Sequence, residues 1–338
     1  MLTPQVPSTK SYIRTLNLIG WSLVIFLGLF TQLSTLDLLV SEFLPGTVGT
    51  AVSSLVSSVV YMAPFILGGV MFYLFNRKAA TQPIRYSIKL TPVFPLLILA
   101  GLAVITAAAY VNSWFCNLIG YVIPPEMIAP TGYDNASTVI MYMTIGLAPA
   151  FAEEFLFRGV IYGNLRVFGK TQAVLISSLL FALMHQNIGQ FFYTFVGGMA
   201  MALMYELTGS IWCGILFHLL NNELSVLTEV LYYGRYGEAI APLLILWDII
   251  VLVLGTVSIV ILIFYYRRQK RKAIDETVGG IFGKQGRTVP EAYDEPVAPK
   301  TVLRGLRTPG MITFSALAFA MAILTYLAIM FIDLGELL

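Results

Sequence analysis

Three charged side chains interrupt an apolar run at "PAFAEEFLFRGV", residues 149–160: Glu153, Glu154 and Arg158. The chain has only two histidines, His185 and His218, and both lie in further apolar runs, "FALMH" and "FHLLNN". The second run also carries Asn221 and Asn222. A charged group at the centre of a membrane helix costs about 2.5–3.5 kcal/mol, so such groups mark function or a specific pairing. Spacing separates their roles. Glu154 and Arg158 stand at i,i+4 and share a helix face, which fits an intrahelical ion pair. Glu153 is turned about 100° from Glu154 and is left to face the bundle interior. His218 and Asn222 are also i,i+4 and put two hydrogen-bond donors on one face. Phe181 and His185 repeat the spacing, so the phenyl ring can wall off one side of the imidazole.

The chemistry these residue types support is water activation. A glutamate held in an apolar interior can serve as a general base near neutral pH. His185 can hold and polarise the water, and His218 with Asn222 can donate to the oxyanion that develops on a carbonyl. Together they describe an amide hydrolase with no serine or cysteine nucleophile. Zinc is the competing reading, because two histidines and a glutamate resemble some catalytic zinc sites. However, HExxH is absent and the second histidine sits beside asparagine, a poor zinc ligand, so no metal or other cofactor is expected. Neither a GxSG nor a GxGD motif is present for a serine or aspartyl intramembrane site. Asp248 stands alone and reads as structural or solvated. Glu206, Glu223 and Glu229 read as interfacial carboxylates, and Cys213 as a small packing residue.

These side chains need apolar helices to position them, and the composition supplies them. Of 338 residues 58% are hydrophobic and only 11% charged, against roughly 25% charged in a soluble domain. The expected fold is all-α, a polytopic membrane helix bundle. Spans need about 20 apolar residues. Runs of that kind fall at 16–36, 51–75, 93–118, 137–165, 171–187, 189–208, 210–230, 242–266 and 310–334, nine in all, with eight as the alternative count. The fourth and fifth runs turn around Phe168 and Gly169. Glu153 and His185 are nearly equidistant from that turn, about 22–24 Å along continuous helix, and so meet at one depth. His218 follows the "LTGS" turn (207–210) by about 12 Å.

Lys and Arg set the orientation. Lys10 and Arg14 precede the first run, Arg77, Lys78, Arg85 and Lys89 lie between the second and third, and Arg166 and Lys170 between the fourth and fifth. Ten more fill 267–309, whereas Arg235 alone falls on the other side. That pattern predicts a cytoplasmic N-terminus. The segment 267–309 opens with "RRQKRK", an anchor for anionic headgroups, and continues as a flexible linker. The expected division is helices 1–3 over 1–136, a catalytic core over 137–235, and helices 8–9 with the basic linker over 236–338. A net charge of +2 and the lack of a basic patch exclude a nucleic-acid partner.

At this point the pattern resembles a known family. "EEFLFR" (Glu153–Arg158), "FALMH" (Phe181–His185) and "HLLNN" (His218–Asn222) resemble the EExxxR, FxxxH and HxxxN motifs of the CPBP family, the CAAX proteases and bacteriocin-processing enzymes. They occur in the family's order, on separate helices, within about 140–235. The resemblance implies an intramembrane glutamate-dependent endopeptidase, a multi-pass bacterial cell-membrane protein acting on a membrane-associated protein or peptide. It implies Glu153 as general base, His185 as its partner in water activation, His218 and Asn222 as the oxyanion site, and Glu154 and Arg158 as supports. The alternative is a non-catalytic immunity or scaffold protein whose polar cluster locks helices together. A proton-coupled transporter is the third reading, and it lacks the sequence support of broken helices or repeats.

Overall fold

The computed structural model describes residues 8–43, 47–76, 83–86, 93–118, 133, 135–281 and 297–336. These residues are all-helical, without strands. The long helices are α1 (Thr9–Phe43), α2 (Thr47–Phe75), α3 (Val93–Leu118), α8 (Ile188–Thr208), α9 (Ile211–Glu229), α10 (Ala241–Ile281) and α12 (Pro309–Glu336). Between α3 and α8 runs a composite rod. It starts as α4 (Asn135–Met141), α5 (Ala148–Glu154) and α6 (Gly163–Leu165), joined by π-helical turns at Tyr142–Leu147 and Phe155–Tyr162, and a 3-10 turn at Arg166–Phe168 ends it. Across Gly169 the chain continues into α7 (Lys170–Met184).

The nine expected runs all fall on helix, yet they do not all read as separate spans. Among the described residues, seven stretches are long and apolar enough to cross a membrane. One of them, Ile211–Arg271, holds both the seventh and the eighth expected run. Gly237, at φ 57° and ψ −143°, interrupts helical geometry inside that stretch. The fifth run is shorter than expected. α7 has 15 residues, about 22 Å of helix, against roughly 30 Å of hydrocarbon. It stops because Gln186 takes a left-handed φ of 51° and Asn187 caps the next helix, its side chain accepting from Gly189 N at 2.8 Å. The "LTGS" turn forms as expected. Gly209 closes α8 at φ 64°, where a side chain would be strained, and Ser210 caps α9.

Packing groups the connections by side. The start of α1 meets the end of the composite rod, with the Tyr12 and Phe168 rings 5.1 Å apart. Ile211 N donates to Arg85 O at 3.0 Å, and Gln172 Nε2 to Val297 O at 2.5 Å. So the basic N-terminal end and the segments around 85, 170, 210 and 297 share one face. At the other end, Arg235 contacts Asn135 at 3.3 Å and Tyr133 contacts Glu229 at 3.1 Å. The linker is helical at both ends. The "RRQKRK" run continues α10, as expected of good helix formers. α11 (Pro299–Leu306) starts with Pro in its first turn and tucks Gly305 against Tyr12 and Leu16. The stretch 282–296 and the cations Arg77, Lys78 and Lys89 lie outside the described residues.

The layers around the core follow from small residues. α12 lies against α1 where Gly20 meets Gly310, and Gly310 N donates to Asn17 Oδ1 at 2.9 Å. Close backbone approach of this kind substitutes for the hydrophobic drive that lipid removes. Side chains such as Leu243, Ile249, Val253 and Phe264 of α10 point outward, which suits a lipid surface rather than water.

Candidate active site

The composite rod, α7, α8 and α9 bring the polar residues together. Ala148, Ala150 and Ala152 keep α5 thin, so neighbours approach its carboxylates closely. Glu153, Glu154, Arg158 and His218 are 2%, 0%, 1% and 6% exposed. Buried charges persist only when paired and hydrogen-bonded, and these are. Arg158 Nη1 donates to Glu154 Oε1 at 2.7 Å, its Nη2 donates to Gly198 O at 3.0 Å, and its guanidinium lies 4.4 Å over the Phe181 ring. The i,i+4 ion pair expected from spacing is therefore present, held from α8 and α7 as well.

His218 reaches both carboxylates. Its Nδ1 lies 3.2 Å from Glu154 Oε1, and its Nε2 is 3.8 Å from Glu153 Oε2. The first is hydrogen-bond length; the second is an ion-pair separation beyond it. Spacing alone sets Glu154 apart with Arg158, so the bridge from α9 to Glu154 is new. Gly214, one turn before His218, makes it feasible: a methyl group there would lie 2.8 Å from Glu154 Oε2.

Glu153 has a partner that sequence reasoning missed. Tyr61 of α2 hydrogen-bonds to its Oε1. A tyrosine in an apolar run carries no spacing signal, so only the fold reveals it. Glu153 Oε2 has no hydrogen-bond partner among the described residues.

His185 sits just past the end of α7, in the tight turn to α8, rather than within the helix as expected. Its Nδ1 is 2.8 Å from Phe181 O. A carbonyl cannot donate, so Nδ1 carries the proton and Nε2 is left as the acceptor. Phe181 stands edge-on to both imidazoles, 4.8 Å from His185 and 6.0 Å from His218. It walls two rings where spacing predicted one. Asn222 Nδ2 donates to Ile145 O at 2.9 Å, and Asn221 donates to Asn222 Oδ1 at 3.1 Å. The Asn222 amide keeps a second N–H, since the group carries two.

All four expected site residues, Glu153, His185, His218 and Asn222, line one cavity of about 940 Å³, with Tyr61, Phe181 and Tyr193. Asp248 lines the same cavity and accepts from Tyr110 at 2.7 Å. Glu206 does not join it. Arg166 and Tyr162 hydrogen-bond to it and Lys170 lies 3.4 Å away. It is an ion-paired anchor at the basic face. Cys213 is fully buried, as expected of a packing residue. Among the described residues, no three His, Cys, Asp or Glu side chains group to hold a metal ion.

Glu153, Glu154, Arg158, Phe181, His185, His218 and Asn222 all lie within one recognisable segment. Residues 135–224 match the family model of Rce1-like proteins, described as type II CAAX prenyl endopeptidase. That is the class this multi-pass helical chain is similar to over its central quarter. No curated protein and no solved structure matches the chain.

Proposed function

We propose that the protein is an intramembrane endopeptidase that hydrolyses a peptide bond of a membrane-associated protein or peptide. Glu153 is the general base. Water is held between Glu153 Oε2 and His185 Nε2, the one a carboxylate oxygen with no hydrogen-bond partner among the described residues and the other an acceptor nitrogen. Its proton passes to Glu153 as its oxygen attacks the carbonyl carbon. His218, carrying a proton on each ring nitrogen, donates through Nε2 to the resulting oxyanion, as does the second amide N–H of Asn222. Glu153 then returns the proton to the amide nitrogen, the C–N bond breaks, and an amine and a carboxylic acid leave, the acid giving its remaining proton to the amine or to solvent. Glu154, Arg158 and Phe181 hold these groups in place, Glu154 by anchoring His218 Nδ1. No metal ion takes part.

The observation that carries this reading is the convergence of Glu153, His185, His218 and Asn222 on one cavity. The Rce1-like segment at 135–224 supports a CAAX-type peptide as substrate. The unit 137–235 carries the chemistry, with 1–136 and 236–338 around it. The basic face is cytoplasmic, in a bacterial cell membrane. The test is cleavage of a quenched fluorescent farnesylated CaaX peptide and of a labelled membrane fraction by protein purified in detergent. Wild type cleaves after chelator treatment, and Glu153→Gln, which keeps the side chain's size, does not. Full activity in Glu153→Gln, or wild-type activity lost on chelation and restored by metal, overturns the mechanism.

A further inference from the structure

The general base has two carboxylate oxygens, and only one can take the proton of water. What chooses between them lies outside the segment 135–224. Tyr61, on α2, hydrogen-bonds to Glu153 Oε1, while Oε2 has no hydrogen-bond partner among the described residues and Glu153 lines the cavity. We propose that Tyr61 is a positioning residue for the proposed reaction: its phenol holds Glu153 Oε1 and thereby presents Oε2 to the water.

The surroundings fix the phenol itself. The Tyr61 ring is 5.1 Å from Phe65 on its own helix and 5.8 Å, edge-on, from Phe30 of α1; Phe65 in turn packs 4.6 Å from Phe26. Phe26 and Phe65 are fully buried. Pro64, three residues on, removes one backbone donor from the α2 ladder, and a proline inside a helix bends it. The ring is thus set by aromatic packing from two helices, and its hydroxyl aims at one oxygen. A phenol suits this task. It donates to an ionised carboxylate, yet near neutral pH it keeps its own proton, so it orients the base without competing for the water's proton. The other groups facing Glu153 do different work: Glu154 and Arg158 pair with each other, and His218 spans the two carboxylates at 3.2 and 3.8 Å.

This inference rests on the endopeptidase reading, and its test separates the two. In Tyr61→Phe the ring and its packing remain and only the hydroxyl goes. With the farnesylated CaaX peptide, kcat falls about 10- to 100-fold, the scale of a misplaced catalytic group, while KM stays within about twofold, the signature of an interaction felt in the transition state. Unchanged kcat, or a raised KM with kcat unchanged, overturns the proposal, the latter making Tyr61 a substrate contact. Infrared spectroscopy supplies a readout that needs no turnover. The Glu153 carboxylate band, identified by its loss in Glu153→Gln, shifts in Tyr61→Phe. A band that stays put overturns the pairing. A shifted band in a protein that cleaves nothing retains the pairing but sinks the endopeptidase reading, and the catalytic role of Tyr61 falls with it.

Discussion

Arg158 shows how a buried charge is kept in a membrane interior. It pairs with Glu154, donates to the Gly198 carbonyl and stacks on Phe181. Removing one partner of such a cluster strands the other. Arg158→Met is therefore expected to destabilise the protein by about 3–5 kcal/mol, seen as an earlier thermal unfolding in detergent. Adding Glu154→Gln to that variant removes the stranded charge and recovers much of the loss, but activity stays low because His218 has lost the carboxylate that holds its Nδ1. A double variant as unstable as Arg158→Met alone would show that the ion pair is not what the cluster needs. The i,i+4 spacing makes this pair legible in the sequence. The His218 bridge is not legible there, because Glu154 and His218 are 64 residues apart.

Elements set the tolerances within which these residues work. The composite rod departs from regular α-helix twice, and its second π turn begins directly after Glu154. Such turns gather at functional sites, where they re-aim side chains within a helix. α9 approaches α5 through Gly214, and there the fit can be tested. A methyl in Gly214→Ala would sit 2.8 Å from Glu154 Oε2, so α9 must shift by a few tenths of an ångström. Overpacking costs about 1–3 kcal/mol. The shift also moves His218, so kcat for the farnesylated peptide is expected to drop about tenfold or more. Near-wild-type kcat in a folded Gly214→Ala would show that the α5–α9 spacing does not control the site. Apolar runs locate most of the helices, including α3 at 93–118 to the residue. Apolarity alone cannot show that α7 ends early, because local turn chemistry at Gln186 and Asn187 decides it.

At the scale of the whole molecule, the basic connections gather on one face through contacts between distant segments, among them Arg85 with Ile211 and Gln172 with Val297. If that face is cytoplasmic, a membrane-impermeant maleimide applied to intact cells labels Glu238→Cys and not Lys300→Cys, in a background with Cys116 and Cys213 replaced by alanine. Both native cysteines are buried, so their replacement leaves the reporters alone on the surface. The reverse labelling pattern would invert the orientation.

The sequence by itself determined the class and the candidates. An interior without water requires helices, low charge makes each intramembrane ionisable group conspicuous, and fixed helical periodicity pairs Glu154 with Arg158 and Phe181 with His185. Those are local effects, readable within one or two turns. The tertiary structure decided what depends on contacts between segments far apart in the chain. It put His218 between two carboxylates, His185 in a turn rather than a helix, Glu206 in an ion-paired anchor, and Tyr61 on the glutamate proposed as base. Packing of glycine and alanine surfaces selects those partners, and no periodicity records which helix will lie against which.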